Sequence, residues 1–471
     1  MNLPHRALLC GSALFLIVAC ACSGSSMSDA QDAPPDTPPA PPGSLHSALI
    51  GDSLCVAGIP RSGPLVPLAV ERLQELGVGL VRTDLTWSVM EPSQGDFNFN
   101  PMDERVMPYW NGGIDVLGIL DYGNPWATSV EGADDKVPPD DPADFAAYVT
   151  AIVAHFDGIL DTYEIWNEPN AGYRFWKPEL KGDPAAFGVL LKAAVTAGRA
   201  TCPTCRFVFG APFFHSQLID GHIPFLEQAQ KAHPDLASFY DVMGFHPYPF
   251  YPPTTAPEGP PPANEWSFAQ MLEGVREVME TGGAADHPVW TTEVGWPIFG
   301  SVTPQRQADF LVRAYLALIA MDAAPICWYN LFDGPNPDDF PPEDAFGLLT
   351  HGDPDAGVES VPKPSFHAMA QLGNRFAKGR ITRDLRAAGV VAEGVRGYRI
   401  DLETAVWWVV WTFPDVTGTV VLPGPAAEIR DVTGALVENE LVDTTVIVSD
   451  SPRFFRLESV DGLLDETRGH P

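Results

Sequence analysis

The chain has 471 residues, 45% of them hydrophobic, enough for one large core and a smaller second one. Its 61 acidic against 28 basic residues leave a formal net charge of −33, which argues against nucleic acid and anionic membrane surfaces as partners, because both would repel it. A neutral glycan fits that charge, and solubility in an exposed compartment explains it equally well.

At the N-terminus, His5 and Arg6 precede an apolar stretch, residues 7–21, too short to span a bilayer as a helix but of the length of a signal-peptide core. Ile17-Val18-Ala19-Cys20 resembles the lipobox of bacterial lipoproteins, which implies cleavage before Cys20 and lipidation of its sulfur; plain cleavage at Ala19-Cys20-Ala21, leaving Cys22 first, is the competing reading. The expectation is an exported lipoprotein at a bacterial cell envelope, meeting the membrane only through this anchor. Residues 22–44 turn Ser-rich and then Pro-rich, a composition that stays extended and reads as a stalk.

From residue 45 to about 375 strand-like and helix-like segments alternate, the pattern of a parallel α/β fold. Strands are predicted near 48–57, 78–84, 114–121, 160–167, 207–211, 242–246, 289–293 and 326–331, with helices at 65–76, 144–155, 184–199 and 305–320. Eight such units in this length suit a (β/α)8 TIM barrel. Beyond Leu372 the helical period gives way to short runs at 390–395, 398–402, 405–413, 417–422, 444–448 and 454–457, predicting a small all-β, sandwich-like domain over 385–460. Consecutive aromatics in Val406-Trp407-Trp408-Val409-Val410-Trp411 predict a strand covered on both faces rather than a sugar-stacking surface.

Cys202-Pro203-Thr204-Cys205 lacks a second CxxC or a histidine pair to complete a zinc site, so a small disulfide is expected there. Cys55 and Cys327, in apolar runs, read as buried small hydrophobes. No metal or cofactor is expected.

Two glutamates carry the functional signal. Glu168 lies in Tyr163-Glu164-Ile165-Trp166-Asn167-Glu168-Pro169-Asn170 and Glu293 in Trp290-Thr291-Thr292-Glu293-Val294-Gly295-Trp296-Pro297, each just after a short apolar, β-branched run. Both would project from the strands' C-terminal ends, where barrel active sites collect. A lone strand-end Glu is ordinarily a solvated or helix-capping charge; a pair can cleave a glycosidic bond, one carboxyl protonating the leaving oxygen while the other attacks the oxocarbenium-like sugar.

Asn-Glu-Pro at the end of the fourth strand, with a second Glu ending the seventh, resembles the signature of the clan A glycoside hydrolases, of the family 39 and family 5 type. The resemblance implies a (β/α)8 fold, Glu168 as acid/base and Glu293 as nucleophile of a retaining mechanism. It extends to Arg82 in Val81-Arg82-Thr83-Asp84-Leu85-Thr86-Trp87, to Asn167, to His246 and Tyr248 in Phe245-His246-Pro247-Tyr248, and to Trp328 on the eighth strand. Family 5 enzymes usually carry a histidine after the third strand, whereas this chain reads Leu120-Asp121-Tyr122-Gly123-Asn124-Pro125-Trp126, which looks more like family 39, where a trailing β domain also occurs.

Arg82 and Tyr248 are the expected partners of an ionised Glu293, and that charge about 5 Å away is expected to raise the pKa of Glu168. Asn167 suits the 2-hydroxyl of the reacting sugar, His246 a hydrogen bond near the cleft, and Trp328, Trp126 and Trp87 flat faces for pyranose rings. Against these stand a buried salt bridge for Arg82, packing for Tyr248 and the tryptophans, and a core position for His246. The loops 249–264 and 333–344, rich in proline, would overhang the same face. The expected function is a retaining glycoside hydrolase of an extracellular oligo- or polysaccharide; a catalytically silent glycan-binding barrel and a transglycosylase are the alternatives.

Overall fold

The computed structural model describes residues 45, 47–178, 182–213, 222–248, 253–257, 267–413, 417–437 and 444–458. The expected signal segment with Cys20, the stalk and most of the 249–264 loop lie outside them. Eight strands, β1 (Leu54–Ala57), β2 (Leu80–Thr86), β3 (Asp115–Asp121), β4 (Thr162–Ile165), β5 (Arg206–Phe209), β6 (Val242–Gly244), β7 (Val289–Val294) and β8 (Ile326–Tyr329), form a closed barrel in that order. All neighbours run parallel, and β8 returns to pair with β1.

The helices α1 (Leu65–Leu76), α2 (Trp87–Met90), α3 (Asn100–Asn111), α4 (Pro142–His155), α5 (Pro184–Thr201), α6 (His222–Ala232), α7 (Phe268–Thr281), α8 (Pro304–Ala320) and α9 (Pro364–Ala370) fall between and after the strands. Their starts are written locally. Asp141, Asp183 and Thr303 each cap a helix whose next residue is proline, their side chains accepting from Ala143 N, from Ala185 and Ala186 N, and from Arg306 N. Helix α1 buries Val66, Ala69, Leu73 and Leu76 on one face and stops at Gly77, whose φ of 70° supplies the left-handed turn that ends it.

After the barrel, β9 (Arg380–Asp384), β10 (Val395–Leu402), β11 (Ala405–Thr412), β12 (Gly418–Val421), β13 (Ala426–Arg430), β14 (Thr445–Val448) and β15 (Arg453–Leu457) build an antiparallel β module. It comprises a five-stranded sheet, β13-β15-β11-β10-β9, and a β12-β14 ribbon. Of the run 390–395 only Val395 is in a strand, as the first residue of β10; residues 390–394 form the turn that leads into it, and the sheet begins at Arg380 rather than 385. Strand β11 is buried throughout. Trp407, Val409 and Trp411 face the core continuous with the barrel while Val406, Trp408 and Val410 face the module's own core, so both faces are covered as the sequence suggested.

Helix α8 lies between barrel and module and is buried from Gln307 to Ile319. Ser451 Oγ donates to Asp309 Oδ1 at 2.7 Å across that junction. Strand β9 also grips the segment leading into the barrel, Ile381 N donating to Ser47 Oγ at 2.8 Å.

Both cysteine pairs are bonded. Cys202–Cys205 is the small disulfide expected. Cys55 and Cys327 correct the sequence reading: they lie directly opposite in the β1–β8 pair and form a disulfide across the seam where the barrel closes. Two apolar runs 272 residues apart gave no sign of it, since the register that opposes them exists only in the closed barrel. Among the described residues no helix is long and apolar enough to cross a membrane.

Candidate active site

Glu168 and Glu293 meet at the C-terminal ends of β4 and β7. Strand β4 stops at Ile165 because the chain then turns sharply: Trp166 and Glu168 adopt left-handed backbone, φ 67° and 47°. An oxygen of Glu168 and one of Glu293 lie within 4.8 Å of each other. Both open onto a cavity of about 240 Å³ whose wall also includes Arg82, Asn167, Tyr248, Tyr122, Tyr329 and Asp84.

Arg82 is the hub. Its guanidinium is buried and donates to Glu164 Oε2 at 2.7 Å and Oε1 at 3.1 Å, to Asn167 Oδ1 at 2.8 Å and to Glu293 Oε2 at 3.2 Å. The buried salt bridge with Glu164 and the contact to Glu293 coexist, so the structural and functional readings of Arg82 both hold geometrically. Attraction to Glu164 and Glu293 raises its pKa, overcoming the opposing effect of burial. Tyr248 donates to Glu293 Oε1 at 3.0 Å. Burial and the nearby Glu293 and Glu168 charges hold its phenol well above the usual tyrosine range.

The two carboxyls differ in what they can lean on. Burial raises Glu168 to about 7, against which Arg174 and Arg82 pull only partly. The cause is thus mainly removal from water, not the Glu293 charge that the sequence reading emphasised. Glu293 is also raised by burial, but it accepts bonds from both Arg82 and Tyr248, which favour its anion. A charged His246 would also favour the Glu293 anion, but burial lowers the imidazole's pKa to about 4, so at neutral pH the support comes from Arg82 and Tyr248.

His246 is fully buried behind Glu168, not on the cavity wall: Nδ1 lies 2.9 Å from Glu168 Oε1 and Nε2 3.1 Å from Thr292 Oγ1. Glu168, His246 and Glu293 present one ligand-type atom each within 4.8 Å, yet both imidazole nitrogens are already engaged, which does not suit a metal ion. Asn167 has its amide fixed by Arg82 at Oδ1 and by Tyr122 OH, 3.1 Å from Nδ2, which leaves one N–H for another acceptor.

The tryptophans do not line the cavity. Trp87 is fully buried on α2, its Nε1 bonded to Glu91 at 2.6 Å and its ring stacked on Tyr148. Trp126 packs edge-on against Trp87 and donates to Glu91 O at 2.9 Å. Trp328 is buried against Trp296, its Nε1 3.3 Å from Phe346 O. Tyr329, one residue on, takes the wall position, because successive residues of a strand point to opposite faces.

Tyr122, Tyr329, Lys136 and the Asp84–Asp121 pair were missed in the sequence. Lys136 Nζ sits 3.4 Å from the centre of the Tyr122 ring. Asp84 pairs with Arg61 and is held below the usual carboxylate range despite its burial, whereas burial and the Asp84 charge push Asp121 well above it. Glu164 did leave a signal: an acid inside the apolar run before Trp166 needs a cation, and Arg82 was the strand-borne candidate.

Fold and site together define a class: parallel (β/α)8 barrels with a carboxylate pair at the ends of the fourth and seventh strands, followed by a β module. No family model and no curated protein matches the chain. Among solved structures it is similar to a family 39 glycoside hydrolase from the gut symbiont Bacteroides cellulosilyticus WH2, with TM-score 0.69, 19% identity, and 88% of this chain and 83% of that chain covered. It is also similar to a GH39 β-xylosidase from Caulobacter crescentus, with TM-score 0.57, 16% identity, and 88% and 98% covered. A GH30 endoxylanase from Clostridium papyrosolvens C71 gives TM-score 0.56, 13% identity, and 89% and 99% covered. At these identities the likeness is one of fold, and it agrees with the clan A resemblance of the strand-end motifs.

Proposed function

We propose that the protein is a retaining glycoside hydrolase that cleaves O-glycosidic bonds of an extracellular oligo- or polysaccharide. The observation that carries this reading is the Glu168–Glu293 pair, with oxygens within 4.8 Å and unlike surroundings. Retaining enzymes hold their carboxyls about 5–5.5 Å apart, whereas inverting ones leave about 6.5–9.5 Å for a water.

In the first step a Glu293 oxygen attacks the anomeric carbon while the bond to the leaving oxygen breaks and Glu168 gives that oxygen its proton. In the second, Glu168, now a carboxylate, takes a proton from water as its oxygen attacks the anomeric carbon and frees Glu293. The remaining N–H of Asn167 is placed to hold the sugar's 2-hydroxyl. Export with a lipid anchor at Cys20 places the enzyme where such glycans occur, and the acidic surface suits a neutral one.

A panel of 4-nitrophenyl glycosides, with the first-formed anomer read by proton NMR, tests the proposal. Turnover with retained configuration is expected. Inverted product overturns the mechanism, and glycan binding without turnover of any glycoside overturns the enzyme reading in favour of the silent binder.

A further inference from the structure

The cavity does not end at the reacting position. On the same face a cleft of about 500 Å³ runs between the β1–α1 loop and the segments after β8, and Gly58 and Ile59 line both spaces. We infer that this cleft is a second sugar-binding position, on the non-reducing side of the scissile bond, so that the enzyme recognises at least two linked sugars before cutting. The inference rests on the glycosidase reading and deepens it.

Topology gives the direction. Glu168 follows β4, and in a closed eight-strand barrel β4 stands across from β8 and the β8–β1 seam. The leaving group departs beside the residue that protonates it, so it lies toward β4. A sugar in the β1/β8 cleft is therefore attached to the other side of the reacting ring. Glu293, after β7, sits between the cleft and the acid in barrel order.

The junction and the lining suit a carbohydrate. Gly58 has φ +64°, and a Cβ there would lie 2.6 Å from Asn330 Cβ, so the junction is kept by a residue with no side chain. Pro335 and Pro354 contribute apolar surface, and His351, Asp353 and Ser62 contribute hydrogen-bonding groups, the mixture that a pyranose with C–H faces and a hydroxyl rim requires. The wall is braced: Asp333 Oδ1 accepts from Lys363 Nζ at 2.7 Å and from Gly347 N at 2.8 Å, and isolated bridges pair Phe332 with Leu349 and Asp353 with Val358. A preformed position of this kind lets binding of a remote sugar assist the chemistry at the reacting one.

The test compares kcat/KM for 4-nitrophenyl β-xyloside with β-xylobioside, and for β-glucoside with β-cellobioside. In at least one pair the bioside is expected to be preferred by about tenfold or more, equivalent to about 1.4 kcal/mol. His351→Ala, which removes a polar group, and His351→Trp, which fills the cleft, are each expected to bring that ratio toward one. Equal turnover of monoside and bioside, or a bioside preference that neither variant lowers, overturns the second position while leaving the glycosidase reading in place. No turnover of any of the four, with no binding of xylobiose or cellobiose by calorimetry, overturns both.

Discussion

Replacing Glu168 by alanine tests the acid/base role proposed for it. With its carboxyl raised to about 7 by burial, Glu168 is largely protonated at pH 6, and activity of the intact enzyme should fall about tenfold per pH unit once pH rises above about 7. The acidic limb should lie above the ordinary carboxylate value, since Glu293 is also raised. In Glu168→Ala the alkaline limb should vanish. A positioned general acid contributes about 10²–10⁴-fold, so kcat/KM for a glycoside with a poor leaving group should fall in that range, while a 2,4-dinitrophenyl glycoside, which leaves without help, should lose far less. Azide should then intercept the glycosyl-enzyme and give a glycosyl azide of net retained configuration. Glu168→Gln, which keeps the shape, guards against a folding artefact. A variant that kept an alkaline limb near 7, or lost both substrates equally, would refute the assignment.

Glu293→Ala should fail differently, losing turnover but allowing azide to attack the sugar directly with protonation by Glu168, which NMR should show as an azide of inverted configuration. Tyr248→Phe removes one of the donors to Glu293; a hydrogen bond to a charged group is worth about 1.5–3 kcal/mol, so kcat/KM should drop about tenfold to 150-fold, and an unchanged rate would show that the contact in the free enzyme has no part in catalysis. Cys55→Ser with Cys327→Ser opens a cross-link spanning 272 residues and should lower stability by about 2–5 kcal/mol, read as a reduced melting temperature in calorimetry. If the anchor is Cys20, Cys20→Ala should move the protein from membrane to soluble fractions; unchanged membrane association would rule that lipidation out.

The eight strands and four of the helices were legible because each announces itself within a few residues, whereas α2, α3, α6, α7 and α9 were not read from the sequence. Helix α1 was read at its observed limits, 65–76, and the eight strands from buried apolar runs. Strands β9 and β13 escaped because Arg380–Asp384 and Ala426–Arg430 carry charged residues in partly exposed positions, which hides the alternation. At the site, the strand-end glutamates, Arg82, Asn167 and Tyr248 were placed by motif. The tryptophans misled because burial depends on which face of a strand or turn a residue occupies: Trp328 and Tyr329 exchange roles through a single step along β8. The Asp84–Asp121 pair depends on the pairing of β2 with β3, and the Lys136–Tyr122 contact on how the loop after β3 folds back, neither of which a local pattern encodes.

The backbone around Glu168 has an evolutionary consequence. Left-handed geometry at non-glycine residues costs about 1–3 kcal/mol each, and the chain adopts it at both Trp166 and Glu168 while also burying a carboxyl. A protein that merely held glycans would be sturdier with glycine at 168, and drift under selection for stability alone would favour that exchange. If Glu168 is the acid/base of the proposed reaction, thermal stability and turnover oppose one another at a single codon. Among descendants of this chain, a more heat-resistant protein with glycine at that position would be one in which selection for hydrolysis had lapsed.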